Sequence, residues 1–154
     1  MSAWQDPNSG KRVWVMGAES CDDWPETPPW KSAGFGLLFA ADRYVAAAPL
    51  AERAVPQGLA FASAWGPACT MIEDVFDETI VHTGKDETAD DAVMTTSHPD
   101  ESLEEALEFF LDAAIAAPAR ATTCTTWVVF ALGPSLLRKV ERALQKRGAT
   151  REEA

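Results

Sequence analysis

"TTWVVFALGPSLLRKVERALQKRG", Thr125 to Gly148, carries two hydrophobic patterns across a single turn. Thr125 to Leu132 is dominated by apolar and β-branched residues without strict alternation, the pattern of a strand buried on both faces. Gly133-Pro134 closes the strand, and proline in a first helical turn opens an amphipathic basic helix that ends at Gly148. A strand apolar on both sides needs cover above and below it. The stretch therefore predicts an α/β sandwich, in which helices cover both faces of a sheet.

The same alternation runs back through the chain. Arg12–Ala18 reads as a first strand closed by Gly17, and "ESCDDWPETPPWKSA" after it reads as a long loop, because its prolines forbid a regular helix. Gly34–Asp42 suits a second strand by length, Pro49–Gly58 a short helix, and Leu59–Trp65 a third strand. The helix that follows has Met71, Ile72, Val75, Phe76 and Ile80 on one face and Glu73, Asp74, Asp77 and Glu78 on the other. His82–Asp91 reads as a polar linker and Ala92–Ser97 as a fourth strand. Leu103, Ala106, Leu107, Phe110, Leu111 and Ala114 then repeat at helical spacing up to a stop at Pro118. Together these predict one α/β domain over residues 12–148, with a flexible leader at 1–11 and a flexible tail at 149–154. The expected architecture is a three-layer open sandwich on a mostly parallel sheet of about five strands, Rossmann-like or flavodoxin-like.

At 154 residues, 47% of them apolar, the chain is long enough to bury a core without staples. The N-terminus lacks an apolar targeting run and nothing approaches the ~20 apolar residues of a membrane helix, so a cytoplasmic protein without a membrane partner is expected. Three widely spaced cysteines, Cys21, Cys69 and Cys124, fit free thiols rather than a disulfide framework or a zinc ribbon. The net charge of -11 disfavours nucleic acid, whose backbone is bound by clustered lysine and arginine. That charge is unevenly placed. Cys69–Glu108 holds thirteen carboxylates against the single base Lys85, a formal -12, whereas Ser135–Arg147 has five bases against Glu141, a formal +4.

In open α/β sheets, ligands gather at the carboxyl ends of the strands. On this assignment of strands those ends carry Cys21, then Trp65, Gly66 and Cys69, then His98, Asp100 and Glu101. Cys21, Cys69 and His98 would make a zinc set if the loops met. Cys69, near a helix start that lowers thiol pKa, with His98 as its base, would make a nucleophile pair. Trp65, Gly66, His98, Asp100 and Glu101 would line a ligand site. No G-x-S-x-G, G-x-G-x-x-G or phosphate-loop motif occurs.

"TTSHPDESLEEALEFF", Thr95 to Phe110, has a folding reason for most of its residues. Ser102 with Glu105 forms a capping box, the neighbouring carboxylates suit the helix dipole, and Pro99 fixes a turn. His98 is the residue for which local folding gives no reason.

"SAWGPAC", "DVFDETIV" and "MTTSHPDESLEEALEFFLDAA" resemble the core pattern of a family of short bacterial proteins classed as a domain of unknown function. The resemblance spans Arg12 to Leu132, with Ser97 where that family has an aromatic residue. It implies an α/β protein and no catalytic residue. From the charge map the expected role is a non-enzymatic acidic interaction module, of the immunity or antitoxin type, which binds a basic partner surface without a cofactor. The alternative is a small metal- or thiol-dependent enzyme, and a homodimer pairing the basic last helix with acidic helices of a second copy is a third arrangement.

Overall fold

The computed structural model describes residues 1–84 and 90–153. Its strands are β1 (Ser2–Asp6), β2 (Lys11–Ala18), β3 (Gly34–Ala40), β4 (Leu59–Trp65), β5 (Met94–His98), β6 (Cys124–Leu132) and β7 (Thr150–Arg151). The helices are α1 (Ala48–Ala54), α2 (Cys69–Thr83), α3 (Leu103–Glu108), α4 (Pro118–Ala121) and α5 (Pro134–Lys146). All seven strands form one sheet in the order β5-β4-β3-β6-β2-β1-β7. β2 to β6 run parallel, and β1 is antiparallel to both β2 and β7.

β6, whose sequence set the class, is flanked by β2 and β3, and Val128, Val129, Phe130 and Ala131 are fully buried. Alternate residues of the strands feed two cores. On one face α1 and α2 cover Phe39, Ala62, Val128 and Phe130; on the other α3 and α5 cover Val15, Leu38, Phe61 and Val129. The long loop after β2 belongs to the first core. Trp24 and Trp30 are buried there against Phe35, and the Trp24 indole donates to Gln57 Oε1 at 2.7 Å. It is a packing element despite its prolines.

Several boundaries differ from the sequence reading. The sheet has seven strands where about five were expected, because the expected leader folds as β1 and the expected tail contributes β7. A five-residue strand with one large apolar side chain has too little alternation to be read, yet Trp4 is buried and anchors it. α2 runs on to Thr83, which puts His82 in its last turn and not in a linker. Residues 85–89 of that expected linker lie outside the described residues. α3 gives way at Phe109–Ala113 to a wider π turn, and the chain leaves it at Ala114. Pro118 therefore begins α4 rather than ending α3.

Candidate functional site

The strand-to-helix junction between β5 and α3 is built from short-range rules. Pro99 and Asp100, the latter at φ 60°, make the turn, and a left-handed residue after proline is the type II pattern. Ser102 Oγ accepts from the Glu105 amide and the Glu105 carboxylate accepts from the Ser102 amide, both at 3.1 Å. The expected capping box is present. Hydrogen bonds from the Ser102 amide and hydroxyl hold the Glu105 carboxyl below its ordinary value.

Strand periodicity places the histidine. Met94, Thr96 and His98 lie opposite Phe61, Ser63 and Trp65 of β4, on the face that α3 covers. His98 is buried, its ring 4.6 Å from that of Phe109. Its Nδ1 lies 2.6 Å from Glu101 Oε2 and its Nε2 lies 3.0 Å from Thr96 Oγ1, which is 2.8 Å from Ser63 Oγ. One hydroxyl proton serves one neighbour at a time, so the proton on Nε2 decides whether Thr96 donates to Ser63 or to His98. The Trp65 indole donates to the Glu101 carbonyl at 2.8 Å. The folding reason that sequence reading could not find for His98 is here: it fastens the outermost strand to the start of α3. Chemically, hydroxyl, imidazole and carboxylate stand in a series along which a proton can pass, from Ser63 and His98, almost wholly shielded from water, out to Glu101, whose side chain is 34% exposed.

The other expected site residues do not assemble around it. Cys69 is buried in the core under α1 and α2, on the opposite face of the sheet from His98. Cys21 is in that same core but follows β2, which β6 and β3 separate from β4. Among the described residues no group of three His, Cys, Asp or Glu side chains is placed to hold a metal ion. Burial pushes the Cys21 thiol up to about 11, with Asp22 and Asp23 adding to the effect, and burial does the same for Cys124. Gly66 serves the fold: at φ 120° a β-carbon on it would lie 1.7 Å from the Ala41 carbonyl oxygen. Asp100 is exposed on the turn and Glu101 is bound to His98, so of the expected ligand set Trp65, His98 and Glu101 meet while Asp100 stands outside.

At the carboxyl ends of β2 and β6, where ligands gather in open α/β sheets, sit clefts of about 290 and 220 Å³. Their polar groups are largely committed, since Ser20 and Asp23 cap a short 3-10 turn and Arg43 pairs with Asp42. A smaller cavity of about 160 Å³ lies beside the His98 line, between β5 and the π turn, lined by Phe61, Ser63, Met94, Thr96, Phe109 and Ile115. Sequence reasoning missed it because the π turn has no signature in periodicity. The spacing of Thr96 and His98, two apart on a strand, was the signal that both face one side.

Described carboxylates of the acidic segment lie on both faces at this end of the sheet. α2 packs against β4 and β5, with Asp74, Asp77 and Glu78 exposed, and Asp77 accepts from the Thr95 hydroxyl at 2.7 Å. On the other face Glu104, Glu105 and Glu108 are exposed along α3. Among the described residues, Arg120 is paired with Asp91 at 3.4 Å, and α3 packs against the basic α5. No described helix is long and apolar enough to cross a membrane. Residues 19–147 match the model of a family described as a domain of unknown function, DUF7684. Comparison with curated proteins and with solved structures gave no match.

Proposed function

The chain belongs to this family of domains of unknown function, and from that premise we propose that it is a non-enzymatic interaction module of the immunity or antitoxin type, holding a basic protein surface against its acidic end. One observation carries the reading. Of the carboxylates that crowd residues 69–108 in sequence, the described Asp74, Asp77 and Glu78 are exposed on α2, which packs against β5, and Glu104, Glu105 and Glu108 on α3, which follows β5 on the other face, inside the matched segment. Such a concentration raises the local density of a cationic partner and speeds its encounter, with an effect that salt screens. The metal- or thiol-dependent alternative draws no support from a geometry that sets Cys69 and His98 on opposite faces.

The test is capture from a cell lysate with two immobilised proteins, the native chain and a variant in which the exposed Asp74, Asp77, Glu104 and Glu108 are all replaced by lysine. A protein retained by the native chain at low salt, released at high salt and absent from the variant is the expected result. Identical capture by both proteins would sink the reading.

A further inference from the structure

β5 is the last strand of the sheet, paired with β4 on one side and with no described strand on the other. Natural edge strands are blunted with lysine, proline or a bulge, because their outward backbone groups otherwise template another chain. β5 is "MTTSH", with none of these within it, and its pairing to β4 is regular from Met94 to His98. The cavity of about 160 Å³ opens beside this edge, and two of its walls, Met94 and Ile115, are 46% and 78% exposed. Large apolar side chains left that open around a cavity mark a surface that a partner covers.

Resting on the acidic interaction reading above, we propose that β5 takes an extended basic segment of a partner protein as an added strand, one apolar side chain of which enters the cavity. The chemistry of the occupant follows from the faces. Side chains of an added strand alternate, so every second residue lies over Met94, Thr96 and the cavity, and those between lie over Thr95 and Asp77 of α2. The first set is apolar and the second is lysine or arginine. A second copy of this chain is the wrong occupant, since joining two β5 edges would bring two strongly acidic ends together.

The experiment is an NMR titration of the 15N-labelled full chain with three synthetic peptides: alternating lysine and leucine, the same sequence with alternate backbone amides N-methylated, and alternating glutamate and leucine. Methylation keeps charge and side chains but removes the strand-forming donors. The lysine peptide is expected to shift the amides of Met94 to His98 and to show strand-type contacts with them. Methylation is expected to weaken binding at least tenfold, as is Met94→Glu with Ile115→Glu, both at exposed positions. Equal binding of the methylated peptide, with shifts on α2 or α3 alone, would overturn strand addition while leaving the acidic module standing. No preference for the lysine peptide over the glutamate peptide would overturn both.

Discussion

The two ends of the sheet are finished in opposite ways. At one, β1 turns back antiparallel to the stack and β7 pairs antiparallel with β1, and the edge is riveted from within. Arg147, just past α5, reaches Asp6 of β1 at 2.8 Å and Asp112 of the π turn at 2.7 Å, and the Asp6 side chain has no exposure at all. At the other end β5 has one neighbouring strand among the described residues, no charged residue but its histidine, and exposed carboxylates on α2 and α3 to either side. The closed end buries the Asp6 carboxylate against Arg147, whereas at the open end Asp74, Asp77, Glu78, Glu104, Glu105 and Glu108 are exposed. The difference teaches that the chain spends the most deeply buried of its described ion pairs on fastening one edge of its own sheet.

The largest effect is expected at the closed end. Arg147→Met removes the cation from a carboxylate that cannot reach water, and breaking one side of a buried pair costs about 3–5 kcal/mol. Urea denaturation measures it. Acid should find the same weak point. Burial works to raise the Asp6 carboxyl, but hydrogen bonds from Arg147 and Ser9 outweigh it and hold it below its ordinary 3.8. A group depressed in the folded state contributes stability that is complete above its unfolded value and is lost as pH falls through the folded one. The native chain should therefore lose stability below pH 3.8, and Asp6→Asn should flatten that part of the profile. A native profile unchanged by Asp6→Asn would break the contrast between the two ends.

The open end has its own internal fastening, and it is worth less. His98→Ala removes a hydrogen bond to a carboxylate, another to Thr96, and the packing on Phe109, with an expected loss of about 2–3 kcal/mol. His98→Phe keeps the ring and leaves Thr96 and Glu101 without it. If the bonds matter as much as the packing, the phenylalanine variant recovers less than half of the loss in the same denaturation experiment. Full recovery would show that β5 is held by packing alone.

Much of this was legible beforehand, for a physical reason. Strands buried on both faces announce themselves as apolar runs, so β4 and β6 were placed to within a residue, and the amphipathic α5 with them. The capping box at Ser102 and Glu105 was legible because its partners are three residues apart. The closed edge was not. Its pieces, Asp6 and Arg147, lie 141 residues apart, and β1 carries one large apolar side chain where a reader needs a pattern. His98 fell between the two cases: Thr96 and Glu101 are close in sequence, but Ser63 and Phe109 come from other elements. Cys21, Cys69 and His98 looked like a ligand set because strand ends are near one another in the abstract; strand order and the face of the sheet decide which of them meet.

The smallest effect separates two ion pairs on the same edge. Arg12 and Glu152 meet at 2.7 Å, as short as the contact of Arg147 with Asp112, but their side chains are 48% and 30% exposed. Water already solvates both charges, and fixing two mobile side chains offsets what the contact gains, so exposed pairs of this kind contribute about 0–1 kcal/mol. Glu152→Gln should shift the urea midpoint barely, and less again in high salt. Distance alone would rank this pair beside Arg147; burial ranks it last. A loss near that of Arg147→Met would mean that β7 is held at its surface, and that the closed edge differs from the open one in strand count alone.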